Sequence, residues 1–64
     1  MAIKKMFKAS PSDLYYIKSI FEGYDNVAVM TTVLAKDGVF ELLCPDGMEV
    51  EAMAIIEELK VEEV

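Results

Sequence analysis

The spacing of apolar residues changes at Gly23, and this change is the feature that most limits what the chain can fold into. Before Gly23, apolar residues recur every three or four positions, which is the period of an amphipathic helix. After Asn26 they occupy both faces of a run that is rich in β-branched residues. A helix that leads directly into a strand indicates a mixed α and β domain.

The segment SPSD predicts the start of the first helix. Ser10 suits the N-cap, Pro11 suits the first helical position, and Asp13 suits the acid of a capping box. Gly23 and Asn26 tolerate the left-handed conformation that closes a helix, so we expect the helix to end near them. Apolar side chains then gather on one side of this helix: Leu14, Ile17, Ile20, Phe21 and Tyr24.

A hairpin is predicted after this helix. Residues 27–35 have strand composition, and Asp37 and Gly38 fit a two-residue turn. Such a turn would place Val33 opposite Leu42 and point the odd-numbered residues of the first hairpin strand into the core. The other side of the hairpin would then carry Met30, Leu34, Val39 and Leu43.

The two ends of the chain complete the predicted fold. Residues 3–9 predict a first strand, and CPDGME predicts a last helix, with Asp46 as its cap and Glu49 as the capping-box partner. The tail VEEV is too short to predict a strand. We expect one α+β domain over residues 1–64, a two-layer βαββα arrangement with three antiparallel strands in spatial order 1-3-2 and both helices on one face. This is the ferredoxin-like pattern without its last strand.

The cysteine and histidine content limits how so short a chain is stabilised. Cys44 is the single cysteine and there is no histidine, so an intrachain disulfide is excluded and a zinc site is not expected. Small domains without such links often oligomerise, and 55% of the residues are apolar. We expect a homodimer through the open sheet face, an edge strand or both, and the candidate interface residues are Met30, Leu34, Val39 and Leu43.

The charge of the chain excludes several partners. Twelve acidic residues against six lysines give a formal charge of −6, and there is no arginine. Nucleic acid and anionic membranes are therefore not expected as partners, because both require a basic surface. No apolar run approaches the roughly 20 residues of a membrane span and no signal-peptide pattern is present, so we expect a soluble cytoplasmic protein.

Two resemblances add to this interpretation. Five residues spread over about a third of the chain carry the first: Pro11, Leu14, Ile17, Asn26 and Val27. With them the sequence resembles the first half of the ACT domain, which implies homodimers that bind an amino acid or other small effector near the turn before helix one. The centre IFEGYDNVAV and the acidic final helix make the whole chain similar to an uncharacterised bacterial family, domain of unknown function 4911, which implies fold and size only.

Other side chains have a structural and a functional interpretation. Cys44 is either a buried small residue or a thiol activated at a helix start, and we favour burial. Asp13 and Asp46 fit caps better than acid–base catalysts. Tyr24 continues the core stripe, Tyr16 flanks it, and Tyr15 points outward. Four acidic residues are expected to form a solvated surface and not a cation site: Glu57, Glu58, Glu62 and Glu63.

We therefore expect no enzyme and no cofactor, because the chain lacks a histidine and any nucleophile–base pair. The favoured function is a small dimeric module that binds an amino-acid-like or anionic effector in a regulatory role. Amides at a helix N-terminus attract such groups. The alternative is a structural or adaptor protein whose open sheet face docks another protein. The candidate ligand-binding residues are Ser10, Ser12, Asp13 and Asn26.

Overall fold

The chain alternates short strands with two helices. The structure, a computed structural model, describes residues 2–24 and 26–64. The elements are β1 (Ile3–Lys8), a first 3₁₀ turn (Pro11–Asp13), α1 (Leu14–Gly23), β2 (Val29–Leu34), a second 3₁₀ turn (Ala35–Asp37), β3 (Val39–Cys44), α2 (Glu49–Leu59) and β4 (Glu62–Glu63).

The sheet has four antiparallel strands in the order β2-β3-β1-β4, so the fold is α+β with an open antiparallel sheet. The predicted neighbours of β3 are confirmed, but the prediction of three strands with β1 at an edge is wrong. Phe7 pairs with Glu63, and the amide of Val64 donates to the carbonyl oxygen of Met6 over 2.9 Å. The acidic tail therefore supplies a short fourth strand that covers β1.

The core lies between one face of the sheet and both helices. Phe7 and Phe40 pair across β1 and β3, and their rings stack with centroids 5.7 Å apart. Both side chains are buried, as expected of large aromatic residues at the centre of a small domain. The helices cover this face with five buried residues: Leu14, Ile17 and Phe21 from α1, and Ala52 and Ile56 from α2.

The register between β2 and β3 differs from the prediction. Met30 pairs with Leu42, and a bulge between Thr32 and Leu34 comes before the pair of Leu34 with Val39. A change of register by an odd number of residues exchanges the two faces of a strand. Met30 is therefore buried under the helices, whereas Val29, which was expected in the core, is 58% exposed.

The hairpin connection and the bulge together set this register. The connection is a 3₁₀ turn over Ala35–Asp37, followed by Gly38 in the left-handed conformation at φ +76°. This loop replaces the predicted two-residue turn at Asp37 and Gly38 and shifts the pairing by two residues, which keeps the same face inward, and the bulge adds the odd residue that exchanges the faces. The Asp-Gly pair correctly located the hairpin but gave the wrong pairing.

The predicted helix caps are also corrected. Pro11–Asp13 form a separate 3₁₀ turn, and neither Ser10 nor Asp13 makes a side-chain cap hydrogen bond. The N-cap position of α2 is Met48 and not Asp46. At the other end of α1, Asn26 has the expected left-handed backbone at φ 59°. Tyr24 lies beyond the end of α1 in extended conformation and is 52% exposed, so it does not continue the core stripe.

Candidate functional site

A cleft of about 480 Å³ lies between the start of α1 and the outer end of the β2–β3 hairpin. One wall is formed by the first 3₁₀ turn and the first two turns of α1, and the other by β2 and the second 3₁₀ turn. These parts of the chain are far apart in sequence but the two 3₁₀ turns contact each other. The lining residues are Pro11, Ser12, Leu14, Tyr15, Lys18, Thr32 and Ala35.

Helical spacing explains which side chains of α1 line one wall of the cleft. Leu14 and Lys18 are four residues apart and Tyr15 and Lys18 are three apart, so all three side chains lie along neighbouring rows of one helix surface. Leu14 is buried beneath the cleft, whereas Tyr15 is 87% exposed, as the sequence predicted. The cleft thus has an apolar base and a solvent-exposed rim.

The bulge in β2 determines which side chains of this strand line the other wall of the cleft. Thr32 pairs with Phe40, whose side chain lies in the core, so Thr32 faces the helix side of the sheet. Two residues later Leu34 pairs with Val39 on the opposite face. The extra residue of the bulge therefore allows the same short strand to contribute Thr32 to the cleft and Leu34 to the open face.

The charge of the cleft contrasts with that of the whole chain. Lys18 is the one charged residue among its described lining residues, in a protein with a net charge of −6. Ser12 and Thr32 add hydroxyl groups that can donate or accept hydrogen bonds. Most of the remaining lining is apolar. This combination suits a small ligand with an apolar body and one anionic group.

The candidate ligand-binding residues are divided among three places. Ser12 lines the large cleft, whereas Ser10 and Asp13 line a smaller cavity of about 170 Å³ on the other side of the same turn. Asn26 lies in the loop between α1 and β2 and lines neither of these cavities. Ser12 is thus the one of the four candidates that lines the large cleft, and Lys18, Thr32 and Ala35, which also line it, were not among the candidates.

The candidate interface residues lie on two different faces of the sheet. Leu34, Val39 and Leu43 lie on the face of the sheet that the helices leave open, where Leu34 and Val39 are a cross-strand pair, although Val39 itself is buried. Met30 does not belong with them, because the observed register buries it in the core.

Cys44 is a buried core residue on the helix-facing side of β3, away from the cleft. Burial raises the pKa of its thiol, the Glu49 carboxylate raises it further, and Lys5 acts in the opposite direction. A raised pKa keeps the thiol neutral near pH 7 and disfavours nucleophilic or metal-binding roles.

Residues 2–24 and 26–64 contain neither a cluster of metal-binding side chains nor a membrane-spanning helix. This part of the chain has no group of three or more His, Cys, Asp or Glu residues placed to hold a metal ion. None of its helices is both long enough and apolar enough to cross a membrane.

The fold and the cleft define a small α+β domain with a ligand-sized concave site beside its first helix. A family model described as Domain of unknown function (DUF4911) matches residues 7–62, and the chain belongs to this family. No curated protein and no solved structure shows significant similarity to the chain.

Proposed function

We propose that this chain is a small non-catalytic module that binds an anionic small molecule with an apolar body in the cleft beside Lys18. The observation that supports this function is the composition of the cleft, with one lysine and the hydroxyl groups of Ser12, Tyr15 and Thr32 beside apolar walls. Its volume of about 480 Å³ lies within the range of about 300–1,000 Å³ that is usual for small-molecule sites.

In this proposal, different residues of the cleft bind the apolar body and the anionic group of the ligand. The apolar body of the ligand packs against Pro11, Leu14 and Ala35, where it leaves water. The carboxylate or phosphate of the ligand accepts hydrogen bonds from the Lys18 ammonium group and from the hydroxyls of Ser12 and Thr32. The cleft therefore selects for an anionic ligand by charge and for its body by shape.

A binding role fits these side chains better than catalysis does. General acid–base or nucleophilic chemistry needs a nucleophile with a base in hydrogen-bond reach, and the described lining offers hydroxyl groups and one lysine without a carboxylate or imidazole. The ACT resemblance expected from the sequence would imply an effector site near the same turn before the first helix. A regulatory effect of this binding on a separate enzyme is a further part of the proposal.

The location of the site is tested by NMR titration of the ¹⁵N-labelled protein with phenylacetate, a carboxylate with an apolar ring. We expect saturable amide shifts at Ser12, Leu14, Lys18 and Thr32. Phenylacetamide, which has the same shape and no charge, should shift the same amides at higher concentration. Shifts scattered over the whole surface, or a set centred on another cavity, would overturn the proposal.

A structural or adaptor role is the second candidate function, and the apolar open face of the sheet favours it. Val29 and Leu34 on this face are 58% and 53% exposed. This function predicts a protein bound to the open face and no saturable ligand in the cleft, so the titration separates the two candidates.

A further inference from the structure

We propose that the open face of the sheet binds a second copy of this chain, face to face, in a two-fold symmetric dimer. The helices cover the opposite face, so the open face is the uncovered side of a two-layer fold. On the side of β2 and β3 it carries two apolar cross-strand pairs, Leu34 with Val39 and Val29 with Leu43. Val29 and Leu34 are more than half exposed, whereas Val39 is buried. Exposed apolar residues grouped on one sheet face are typical of an interaction surface.

The charges on this face indicate what covers it. Lys4 and Lys8 lie on β1, and Glu41 lies on β3 directly opposite Met6, between the two lysines. Residues opposite each other in antiparallel strands share a face, so all three charges point to the open side. None of them forms an ion pair within residues 2–24 and 26–64, whereas Lys5, on the helix side, lies 3.8 Å from the Glu63 carboxylate.

The net charge of the face differs from that of the rest of the chain. Glu62 pairs with Lys8 and shares its face, so two lysines and two glutamates cancel there, while the chain as a whole carries −6. Two copies repel each other in most orientations at this charge. Contact through the open face therefore brings no excess of like charge into the interface.

The strand order then fixes one complementary arrangement. A two-fold axis parallel to the strands, passing between β1 and β3, places β1 of one copy over β3 of the other. In this register Glu41 lies over the partner's Met6, between the partner's Lys4 and the partner's Lys8. The symmetry repeats this cluster, so each copy supplies one carboxylate and two ammonium groups.

The dimer is tested by sedimentation equilibrium over protein concentrations up to about 1 mM, which detects association weaker than micromolar. We expect a monomer–dimer equilibrium for the unmodified chain. Glu41→Lys should weaken the dimer at least about tenfold, because it places like charges opposite each other. The triple variant Glu41→Lys, Lys4→Glu, Lys8→Glu reverses every charge of the cluster and should restore most of the lost affinity.

A matched control separates the local cluster from net charge. Glu51→Lys, at an exposed position on α2, changes the net charge by the same two units as Glu41→Lys. Repulsion by net charge alone predicts tighter association for both variants, whereas the proposed dimer predicts weaker association for Glu41→Lys only. A purely monomeric protein up to about 1 mM, or a dimer that Glu41→Lys leaves unchanged, would overturn the proposal. The first result favours a different protein on this face, and the second favours pairing through an edge strand.

Discussion

The backbone amide of Ala9 donates a hydrogen bond to the carbonyl oxygen of Gly38, with 2.9 Å between nitrogen and oxygen. This bond joins the end of β1 to the end of the hairpin loop. It lies where the two 3₁₀ turns that border the cleft come together. Gly38 has φ +76°, and a β-carbon there would overlap the carbonyl oxygen of Ala9. The contact between these two residues therefore holds both walls of the cleft in place.

Gly38→Ala should destabilise the domain strongly. The left-handed backbone alone costs a non-glycine residue about 1–2 kcal/mol, and the overlap with the Ala9 carbonyl adds to it, so we expect a loss of more than about 2 kcal/mol in the free energy of unfolding. Gly23→Ala is the matched control, because no atom lies within 4 Å of a β-carbon at this helical position. It should be neutral or stabilising by less than about 1 kcal/mol. Urea unfolding followed by circular dichroism measures both, and equal effects would refute the described contact.

The observed register of β2 predicts unequal losses of stability for substitutions at two neighbouring residues. Met30→Ala should cost about 2 kcal/mol or more, because Met30 is buried against the helices. Val29→Ala should cost less than about 1 kcal/mol in dilute solution, since its side chain points to the open face. The same unfolding assay, at a protein concentration that keeps the chain monomeric, tests this difference. A larger cost at Val29 than at Met30 would instead support the register of a two-residue turn.

The pH dependence of stability should report the buried thiol of Cys44. Its folded-state pKa is raised above the ordinary value of 9.0, so the folded state holds its proton more tightly than the unfolded state does. This contribution to stability is fully present below the unfolded pKa and is lost as the pH rises through the folded pKa. The free energy of unfolding should therefore fall more steeply between about pH 8 and pH 10 for the unmodified chain than for Cys44→Ala. Identical slopes would show that the thiol has no raised pKa.

The general architecture was predictable because its signals are local. Periodicity identified β1, both helices and the hairpin, and the Asp-Gly pair marked the turn. The face of β2 was not predictable, since apolar residues such as Val29 and Met30 occupy both faces of the strand. Neither periodicity nor turn residues could reveal the bulge that sets the observed register.

The fourth strand and the cleft were missed for related reasons. Glu62 and Glu63 have low strand propensity, and their pairing depends on the free edge of β1, which is a tertiary feature. Ser12 was predicted because it lies at a helix start. Lys18 was not among the candidates, and helical spacing from Leu14 is the one signal that could have placed it in the cleft. Thr32 reaches the cleft only through the bulge, which leaves no local signal.

The role of Lys18 is the most direct test of the proposed function. The dissociation constants of phenylacetate and phenylacetamide should be measured by NMR titration for the unmodified chain, for Lys18→Gln and for Lys36→Gln, which removes a nearby lysine outside the described cleft lining. Because Lys18 is exposed, its attraction for the carboxylate is worth about 1 kcal/mol, so the unmodified chain should prefer phenylacetate about fivefold. The account predicts that Lys18→Gln abolishes this preference and that Lys36→Gln keeps it. A preference that survives Lys18→Gln, or that is absent from the unmodified chain, would contradict the account.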